Sequence, residues 1–483
     1  MSDRQDQIRP DMDGRNDAGL DLSPPQMRSL GYRAVDIVVD HFARIADDPV
    51  VPQGAREPIA RLFDAPPPDH GSDPVALLDW LRDNVFANAL RTDHPRFFGY
   101  IPSPNNFVSA IGDLLASGFN VFAGLAPTNH GPTELELAVI RWLCDLLGLP
   151  TGAGGLIVSG GSMANFTALA VARHRRLGDT TENAVIYVSD QTHSSIERAV
   201  RALGFGADQL AVIASDADYR IDLDVLAERI TQDRADGRRP FCVVGTAGTT
   251  NTGAIDALDR LALLCRHEDL WFHVDGAYGA AAAILPEMKA AFAGLSAVDS
   301  LSIDPHKWLF QPFECGCLLV RDRRWLPETF RIVPDYMKDS DVAGDMVNFR
   351  DWSLQTTRAF KALKLWMTFK TFGMNGIRTA IRHGLDLGEF TQGFLEARDG
   401  WQVVSPASLG AVTFRYIGGP PEGPDCDALN QAMVNALSAD GFALVSTTIL
   451  EGRKVIRICA LNPRATRDDI RRTVEKLEEL ARV

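Results

Sequence analysis

The sequence predicts an α/β protein built on a mixed, mainly parallel seven-stranded sheet with helices on both faces, followed by a small C-terminal α/β domain. Three observations predict this class. Between about residues 150 and 320, seven short apolar runs alternate with helical patterns. These runs are almost continuously apolar, as strands are when both faces of a parallel sheet are covered. A shorter strand and helix pattern then returns after residue 380.

The seven strand candidates are "GLIVS" (155–159), "AVIYVS" (184–189), "QLAVIA" (209–214), "FCVVGTA" (241–247), "WFHVDGA" (271–277), "SLSID" (300–304) and "CGCLLV" (315–320). The connection between the last two is too short for a helical crossover. We therefore expect those two strands to pair antiparallel or not to be neighbours, which makes the sheet mixed.

The rest of the chain divides by composition and periodicity into a polar, Asp-rich tail that we expect to be disordered (1–22), a helical segment (23–110), a large domain (111–380) and a small domain (381–483). In the helical segment, an amphipathic helix starts at Ser23 and a second helix spans about 74–90. The apolar face of the first helix must cover its own core or a partner subunit. A long helix is predicted at about 353–372. In the small domain, strands at 410–417 and 454–461 bracket a helix near 428–439, and a charged helix ends the chain.

Composition restricts the function to a few classes. A formal charge of −14 argues against nucleic acid or an anionic membrane as a partner and favours a small-molecule substrate. The seven cysteines are scattered and odd in number, with no CxxC or HExxH motif, which indicates buried thiols in a reducing compartment and no metal site. The N-terminus lacks an apolar signal region and no apolar run is long enough to span a membrane, so we expect a cytoplasmic protein without a membrane span.

Polar residues stand where several predicted strands end, which is where functional groups gather in a parallel sheet. Gly160-Gly161-Ser162 after the first strand is typical of a phosphate-binding turn, although a capping role is equally open and the lysine of a P-loop is absent. His193 follows the second strand. Thr246, Thr249 and Thr250 follow the fourth, where threonine is also an ordinary turn residue.

Asp275 and Lys307 carry the strongest signal. Asp275 interrupts an apolar strand, so it needs a partner such as a protonated ring nitrogen, unless it only caps a helix. Lys307 follows "SLSID" in an apolar stretch, where an amine is tolerated if it is neutral or covalently engaged. The order of turn, histidine, acid and lysine is what pyridoxal phosphate requires: an anion cradle, a ring-stacking partner, a counter-ion and an imine-forming amine.

From about residue 22 onward the chain resembles the pyridoxal-phosphate-dependent group II amino-acid decarboxylases, and most of all the aromatic-L-amino-acid decarboxylases. The motifs that carry the resemblance are "HPRFFGYIP" (94–102), "PTELEL" (132–137), "SDQTHSSIERA" (189–199), "HVDGAYG" (273–279), "DPHKW" (304–308) and "VPDYMKDS" (333–340). The resemblance implies the aspartate-aminotransferase-like fold, called fold type I, and a homodimer in which segment 23–110 packs on the partner subunit.

The resemblance also implies a role for individual residues. Lys307 would form the imine with the cofactor, and Asp275 would keep the ring nitrogen protonated. His193 would stack on one face of the ring, Ala277 on the other, with Thr246 beside it. The phosphate would be held by Ser162, Met163, Ala164 and His306. The catalytic residues would be Lys307, His193 and Tyr336, the last on a mobile loop, and the substrate would contact Tyr100, Ile101 and Pro102.

The implied reaction is decarboxylation of an L-amino acid to its amine and CO₂, by way of an external aldimine and a quinonoid. Phenylalanine, tyrosine, DOPA or tryptophan are the leading substrates, with a branched aliphatic or acidic amino acid still open. An aldehyde synthase is an alternative that Tyr336 disfavours, because such enzymes carry Phe there. An aminotransferase, which could use Arg457, and a non-catalytic binding protein are further alternatives. Asp304, where animal sequences have Asn, has no role that we can predict.

Overall fold

The structure is a computed structural model that describes residues 19–332, 347–418 and 425–482. It contains two compact units, one formed by the described residues up to 44 together with 54–89, and the other by 45–53 and the described residues from 90 onward.

The smaller unit consists of three helices, α1 (Pro24–Arg44), α2 (Arg56–Arg61) and α3 (Pro74–Asn84). The side chain of Asp73 accepts hydrogen bonds from the first amides of α3, which fixes where that helix begins. An ion pair between Arg33 and Asp79 links α1 to α3. The helix predicted from Ser23 is therefore present, and the one predicted at 74–90 ends earlier. None of the residues of α1 is buried.

The larger unit contains a seven-stranded sheet whose strands coincide with the seven predicted runs. They are β1 (Gly154–Val158), β2 (Ala184–Ser189), β3 (Leu210–Ile213), β4 (Arg239–Thr246), β5 (Trp271–Asp275), β6 (Ser300–Ile303) and β7 (Gly316–Val320). Their order across the sheet is β1-β7-β6-β5-β4-β2-β3. The pairs β3 with β2, β2 with β4, β4 with β5 and β5 with β6 are parallel, whereas β7 is antiparallel to both neighbours. The predicted mixed sheet, with β6 and β7 antiparallel, is confirmed.

Consecutive residues of these strands point to opposite faces, and both faces are covered. Ile157 belongs to the apolar core on one face, whereas its neighbours Leu156 and Val158 belong to the core on the other. The helices that supply the two layers are α4 (Phe107–Gly118), α5 (His130–Leu147), α6 (Gly161–Leu177), α7 (Ser195–Ala202), α8 (Leu223–Ala235), α9 (Leu258–His267) and α10 (Trp325–Phe330).

The long helix α11 (Ala362–Glu396) corrects the prediction of a helix at 353–372. It begins nine residues later than predicted and continues well beyond Phe372. Gly373, with φ 64° and ψ 167°, interrupts the helical geometry inside it. Gly373 kinks α11 but does not end it. A sequence interpretation in which a glycine ends a helix therefore predicts only the first part of α11.

The C-terminal part forms a second, antiparallel sheet with the order β10-β11-β9-β8. Its elements are β8 (Trp401–Ser408), β9 (Ala411–Tyr416), α12 (Cys426–Asp440), β10 (Ser446–Leu450), β11 (Arg453–Cys459) and α13 (Arg467–Leu480). Strands β9 and β11 and both helices were predicted, whereas β8 and β10 were not. In the part of the chain that the structure describes, no helix has the length and apolar character needed to cross a membrane.

Candidate active site

The site lies where four strands of the large sheet end on the same edge. Strands β4, β5 and β6 are parallel, and β1 runs in their direction because β7, between β1 and β6, is antiparallel to both. A cavity of about 610 Å³ opens at this edge. The predicted residues that line it are Lys307, Asp275, His193, Thr246, Ala277, Ser162, Met163, His306, Tyr100 and Ile101. That volume is in the usual range for a small-molecule site.

The turn between β1 and α6 has the features of an anion cradle. The amides of Met163 and Ala164 both donate to the carbonyl oxygen of Gly160, at 2.9 and 3.0 Å. The amides of Gly161 and Ser162 precede them and have no acceptor inside the helix. A Cβ on Gly161 would lie 2.8 Å from Oδ2 of Asp304, so only glycine fits there. The positive end of α6 and its first two amides therefore face the cavity.

Asp275 ends β5 and is held by three donors. Its Oδ1 accepts from the amide of Ala277 at 3.0 Å and from the hydroxyl of Ser302 at 3.1 Å, and its Oδ2 accepts from Nδ2 of Asn165 at 2.9 Å. Burial alone would raise the pKa of this carboxyl, but the charge of Lys307 and the bonded amide outweigh burial and hold the pKa below its usual value. Asp275 is therefore a fixed, buried anion.

Lys307 follows β6 and forms an ion pair with Asp304, with 2.9 Å between Nζ and Oδ2. Asp304 is almost fully buried, and its Oδ1 has no hydrogen-bond partner among the described residues. The side chain of Lys307 is 23% exposed, so its amine is accessible from the cavity. The structure thus gives Asp304 a contact that the sequence did not reveal.

His193 stands between β2 and α7, with its ring against the cavity. Its Nδ1 lies 2.9 Å from the hydroxyl of Ser195 and accepts from the Ser195 amide at 3.3 Å. Burial lowers the pKa of His193, a shift that the nearby carboxylate of Asp275 opposes and does not cancel. The ring is therefore favoured in its neutral form.

His306 and Thr246 contribute two further polar groups. Nδ1 of His306 lies 2.8 Å from the carbonyl oxygen of Cys315, and a Cβ on Gly160 would lie 3.3 Å from its Cε1, so the ring lies against the glycine turn. The hydroxyl of Thr246 is buried and has no partner among the described residues. A buried hydroxyl without a partner at the wall of a cavity indicates a contact with a ligand.

Three of the residues singled out in the sequence, Ala164, Pro102 and Thr249, do not line the cavity, and a fourth, Tyr336, cannot be placed. Ala164 is fully buried and Pro102 is buried, and neither is among the described residues that line the cavity. Thr249 serves the turn after β4, where its hydroxyl lies 2.8 Å from that of Thr252, while Thr250 does line the cavity. Tyr336 lies outside the described residues.

Several residues of the site were not predicted. Asn165 and Ser195 connect Asp275 to His193, and Ser446, Thr447 and Thr448 reach the cavity from β10. Arg457, which the sequence analysis named only for the aminotransferase alternative, also lines the cavity. Its Nη2 donates to the carbonyl oxygen of Tyr100 at 2.6 Å and its Nη1 to the hydroxyl of Ser446 at 3.2 Å. The β-branched residues of "STTIL" were the signal available for β10, and nothing in α6 marks Asn165 as different from an ordinary helix residue.

This set of groups fits pyridoxal phosphate. The glycine turn offers free amides to a phosphate, Asp275 offers an anion to a ring nitrogen, and Lys307 offers an accessible amine. Three of the described residues that line the cavity, Thr246, Tyr278 and Asp304, also have a buried side-chain oxygen without a hydrogen-bond partner in the described part of the chain. The residues that would hold the cofactor are therefore present together.

Comparisons with known proteins agree with this fit. The family model described as "Pyridoxal-dependent decarboxylase conserved domain" matches residues 57–417. The chain is 45% identical over 467 residues to an aromatic-L-amino-acid decarboxylase of Bacillus atrophaeus, covering 96% of this chain and 97% of that protein. It is similar to the crystal structure of Oryza sativa TDC with PLP and tryptamine, with a TM-score of 0.90, 29% identity and coverage of 95% and 98%.

The structure of Rhodiola rosea 4-hydroxyphenylacetaldehyde synthase is also similar, with a TM-score of 0.88, 25% identity and coverage of 95% of this chain and 99% of that one. The fold is therefore the type I fold of pyridoxal-phosphate enzymes, as the resemblance implied. The match extends over most of the chain, and the residues that the cofactor needs are in place. The chain belongs to the pyridoxal-dependent decarboxylase family.

Proposed function

We propose that the protein converts an aromatic L-amino acid, phenylalanine, tyrosine, DOPA or tryptophan, to its amine and CO₂. Family membership makes pyridoxal phosphate the cofactor and decarboxylation the reaction. What is proposed is the substrate class. The observation that carries it is the 45% identity, over nearly the full length of both chains, to a protein named aromatic-L-amino-acid decarboxylase.

The cavity supports an aromatic substrate in one specific way. Tyr100 and Phe313 line it together with Ile101, and their rings are 63% and 58% exposed although they lie beside a buried site. Exposed aromatic rings at a cavity mouth are suited to stack on another ring. A hydrophobic contact of this size discriminates between two similar substrates by only about 1–3 kcal/mol. Several aromatic amino acids are therefore expected to react.

Pyridoxal phosphate, when bound, supplies a conjugated ring that accepts the electron pair left behind as CO₂ departs. The chain's own residues would hold it in place. Asp275 would hold the ring nitrogen, Lys307 would provide the covalent attachment, and the amides of Gly161 and Ser162 would bind the phosphate. The neutral ring of His193 is oriented by Ser195 and leaves Nε2 directed away from the Ser195 contact.

Tyr336 is proposed to return a proton to the substrate carbon, on the resemblance of "VPDYMKDS" alone. This role separates the decarboxylase from an aldehyde synthase, the second candidate function, which the similarity to the Rhodiola rosea enzyme brings into consideration. An aminotransferase is less well supported, because the matching family model and the relative of 45% identity are both decarboxylases.

A homodimer is also proposed. In the smaller unit, α1 has no buried residue and exposes Met27, Tyr32 and Val39. In the larger unit, Leu114 on α4 and Phe119 just after it are 57% and 80% exposed. Clusters of exposed apolar side chains are typical of surfaces that another protein covers, and a second copy of this chain is the partner that the family resemblance implies.

A cytoplasmic location is proposed from the cysteines. All seven are free thiols, and six of them are buried. Free thiols are typical of reducing compartments. Fractionation of cells that express the tagged protein, with activity measured in each fraction, tests this location, and recovery in a secreted fraction would contradict it.

The proposed function is tested by incubating the purified protein and pyridoxal phosphate with a panel of the L-amino acids, while CO₂, amine, ammonia and aldehyde are all measured. Equal amounts of CO₂ and amine from an aromatic amino acid are expected. Aldehyde with ammonia would identify an aldehyde synthase. Amine formation only from an aliphatic or acidic amino acid would overturn the aromatic substrate class.

A further inference from the structure

Asn165 lies at the centre of a buried set of hydrogen bonds beneath the cavity. It is on α6, one turn after Gly161, and is 1% exposed. Its Nδ2 donates to Oδ2 of Asp275 at 2.9 Å and to the hydroxyl of Ser195 at 3.0 Å, and its Oδ1 lies 3.0 Å from Nε2 of His273. One amide thus contacts both the proposed counter-ion and the serine that orients His193.

The direction of these hydrogen bonds is fixed by Asp275, whose carboxylate can only accept. The amide of Asn165 therefore presents Nδ2 to Asp275 and Oδ1 to Nε2 of His273, which must donate. Nε1 of Trp271 can only donate, and it donates to the hydroxyl of Ser300 at 2.9 Å. The proton of that hydroxyl is then free to donate to Nδ1 of His273, 2.8 Å away. His273 is fully buried, and burial lowers its pKa to about 4, so its ring is neutral and carries its one proton on Nε2.

From His273 the direction continues to the cavity. Its Nε2 donates to Oδ1 of Asn165, which leaves Nδ2 of that amide, with its two protons, for Asp275 and Ser195. The reverse orientation of the amide would place its oxygen against the carboxylate of Asp275, so the carboxylate selects this orientation, and the hydrogen bond from Trp271 to Ser300 is compatible with it.

Ser195 links the hydrogen bonds of Asn165 to the ring of His193. Because its hydroxyl accepts from Asn165, its own proton is available for Nδ1 of His193, which also accepts the Ser195 amide. Nδ1 of His193 is therefore an acceptor, and the single proton of the neutral ring is on Nε2. The tautomer of His193 is thus set by the amide of Ser195 and by the orientation that the carboxylate of Asp275 gives to Asn165.

We propose that Asn165 is a positioning residue that holds the carboxylate of Asp275 and, through Ser195, fixes His193 in the tautomer with its proton on Nε2. This proposal rests on the cofactor site and function proposed above. The two branches from one amide make the two effects separable. Removing the hydroxyl of Ser195 breaks only the branch to His193, whereas changing Asn165 breaks both.

The experiment compares four variants of the full-length holoenzyme. Asn165→Asp keeps the shape and removes the two-proton donor, Asn165→Ala removes the amide, and Ser195→Ala breaks one branch. The matched control is Asn430→Asp, because Asn430 is equally buried and bonded to Tyr416 and Cys426, outside the cavity. For each variant we would measure the melting temperature, the dissociation constant for pyridoxal phosphate, the absorption spectrum of the bound cofactor across a pH series, and kcat and KM.

Both Asn165 variants are expected to weaken cofactor binding about 10-fold or more and to shift the pH midpoint of the spectrum, since a hydrogen bond to a charged group is lost. Ser195→Ala is expected to leave both quantities unchanged and to lower kcat about 10-fold with little change in KM. Asn430→Asp is expected to lower only the melting temperature. A purely structural role would make the Asn165 variants resemble this control.

Cofactor affinity and spectrum within 2-fold of the wild type in both Asn165 variants would overturn the proposal, whatever their melting temperatures. An equal loss of affinity in Asn430→Asp would also overturn it. The dissociation constant and the spectrum require no substrate, so a protein that forms no aromatic amine would fail the proposed function while this test still gives a result.

Discussion

The amine of Lys307 and the carboxylate of Asp304 form an ion pair of 2.9 Å inside the cavity. Lys307 is the residue to which the cofactor would attach covalently. Asp304 borders the glycine turn, because its Oδ2 would be 2.8 Å from any Cβ on Gly161. Attachment of the cofactor would convert the amine of Lys307, with loss of water, to an imine whose nitrogen carries at most one hydrogen in place of three. Asp304 would then have a weaker partner beside the glycine turn, so this carboxylate favours the cofactor-free protein over the loaded one.

Asp304→Asn is therefore expected to destabilise the cofactor-free protein and to bind pyridoxal phosphate more tightly. Loss of one partner from a fully buried ion pair costs about 3–5 kcal/mol, and the partial exposure of Lys307 reduces our expectation to about 1–3 kcal/mol. Urea unfolding gives the stability, and a fluorescence titration gives the affinity. A titration with 4-deoxypyridoxine phosphate, which cannot attach to Lys307, measures how the charge of Asp304 affects binding of the phosphate group alone.

Asp113→Asn is the matched control, because Asp113 forms an ion pair of 3.0 Å with the buried Lys364 and does not line the cavity. This variant is expected to lose stability with no change in cofactor affinity. An Asp304→Asn protein that binds the cofactor 10-fold more weakly would contradict the prediction.

Tyr336→Phe tests the residue that the structure does not describe. If Tyr336 returns the proton to the substrate carbon, its loss is expected to lower the rate of amine formation by about 10²-fold or more and to raise the share of aldehyde. Both products are quantified in the same reaction. Tyr219→Phe, which removes a hydroxyl that lies 3.4 Å from Glu451, is the control and should leave the product ratio unchanged. An unchanged amine rate in Tyr336→Phe would exclude the proposed role.

Phe119→Glu tests the dimer. Phe119 is 80% exposed, so a charge there is expected to leave the fold intact and to disrupt an apolar interface. Sedimentation should show a wild-type mass near twice 52.8 kDa and a shift of the variant toward 52.8 kDa. Leu263→Glu on α9, where Leu263 is 63% exposed, is the control and should remain dimeric. A monomeric wild-type protein would contradict the dimer itself.

The strands of the large sheet were predictable because their runs are mostly apolar. "AVIYVS" became β2 with the predicted bounds, and the short link before β7 correctly indicated an antiparallel neighbour. Strand β10 was not predicted, because only Leu450 of its five residues is buried and its hydroxyl residues line the cavity instead of forming a regular apolar face. An apolar sequence pattern reveals a strand whose side chains are buried, and few side chains of β10 are buried.

The same distinction applies to the site. Thr246 and Asp275 were predictable because each is a polar residue at the end of a buried strand, and strand ends of a parallel sheet meet at one edge. The contact of Asn165 with Asp275 joins residues 110 positions apart, and only the packing of α6 on β5 brings them together. Likewise, no local pattern shows that Asp304 faces Lys307 rather than capping a turn.

His94 should make stability depend on pH. It is fully buried, its Nδ1 accepts the amide of Arg96 at 2.8 Å, and its Nε2 lies 3.1 Å from the carbonyl oxygen of Asp48, so the neutral ring fits both partners. Burial, with the charge of Arg96, lowers its pKa to about 4. Since the unfolded chain takes up this proton near pH 6.5, the folded state binds fewer protons between these values, and stability is lost as pH falls.

His94→Asn, which keeps an acceptor for the Arg96 amide, is therefore expected to be less stable at pH 7 by about 1–3 kcal/mol, but to lose less stability on acidification. The difference in the free energy of unfolding between the wild type and His94→Asn should decrease by up to about 3 kcal/mol as the pH falls from 6.5 to 4. Urea unfolding at a series of pH values measures it, with the exposed His70→Asn as control. If wild type and His94→Asn lost stability in parallel, the neutral ring of His94 would not be the group that responds to acid.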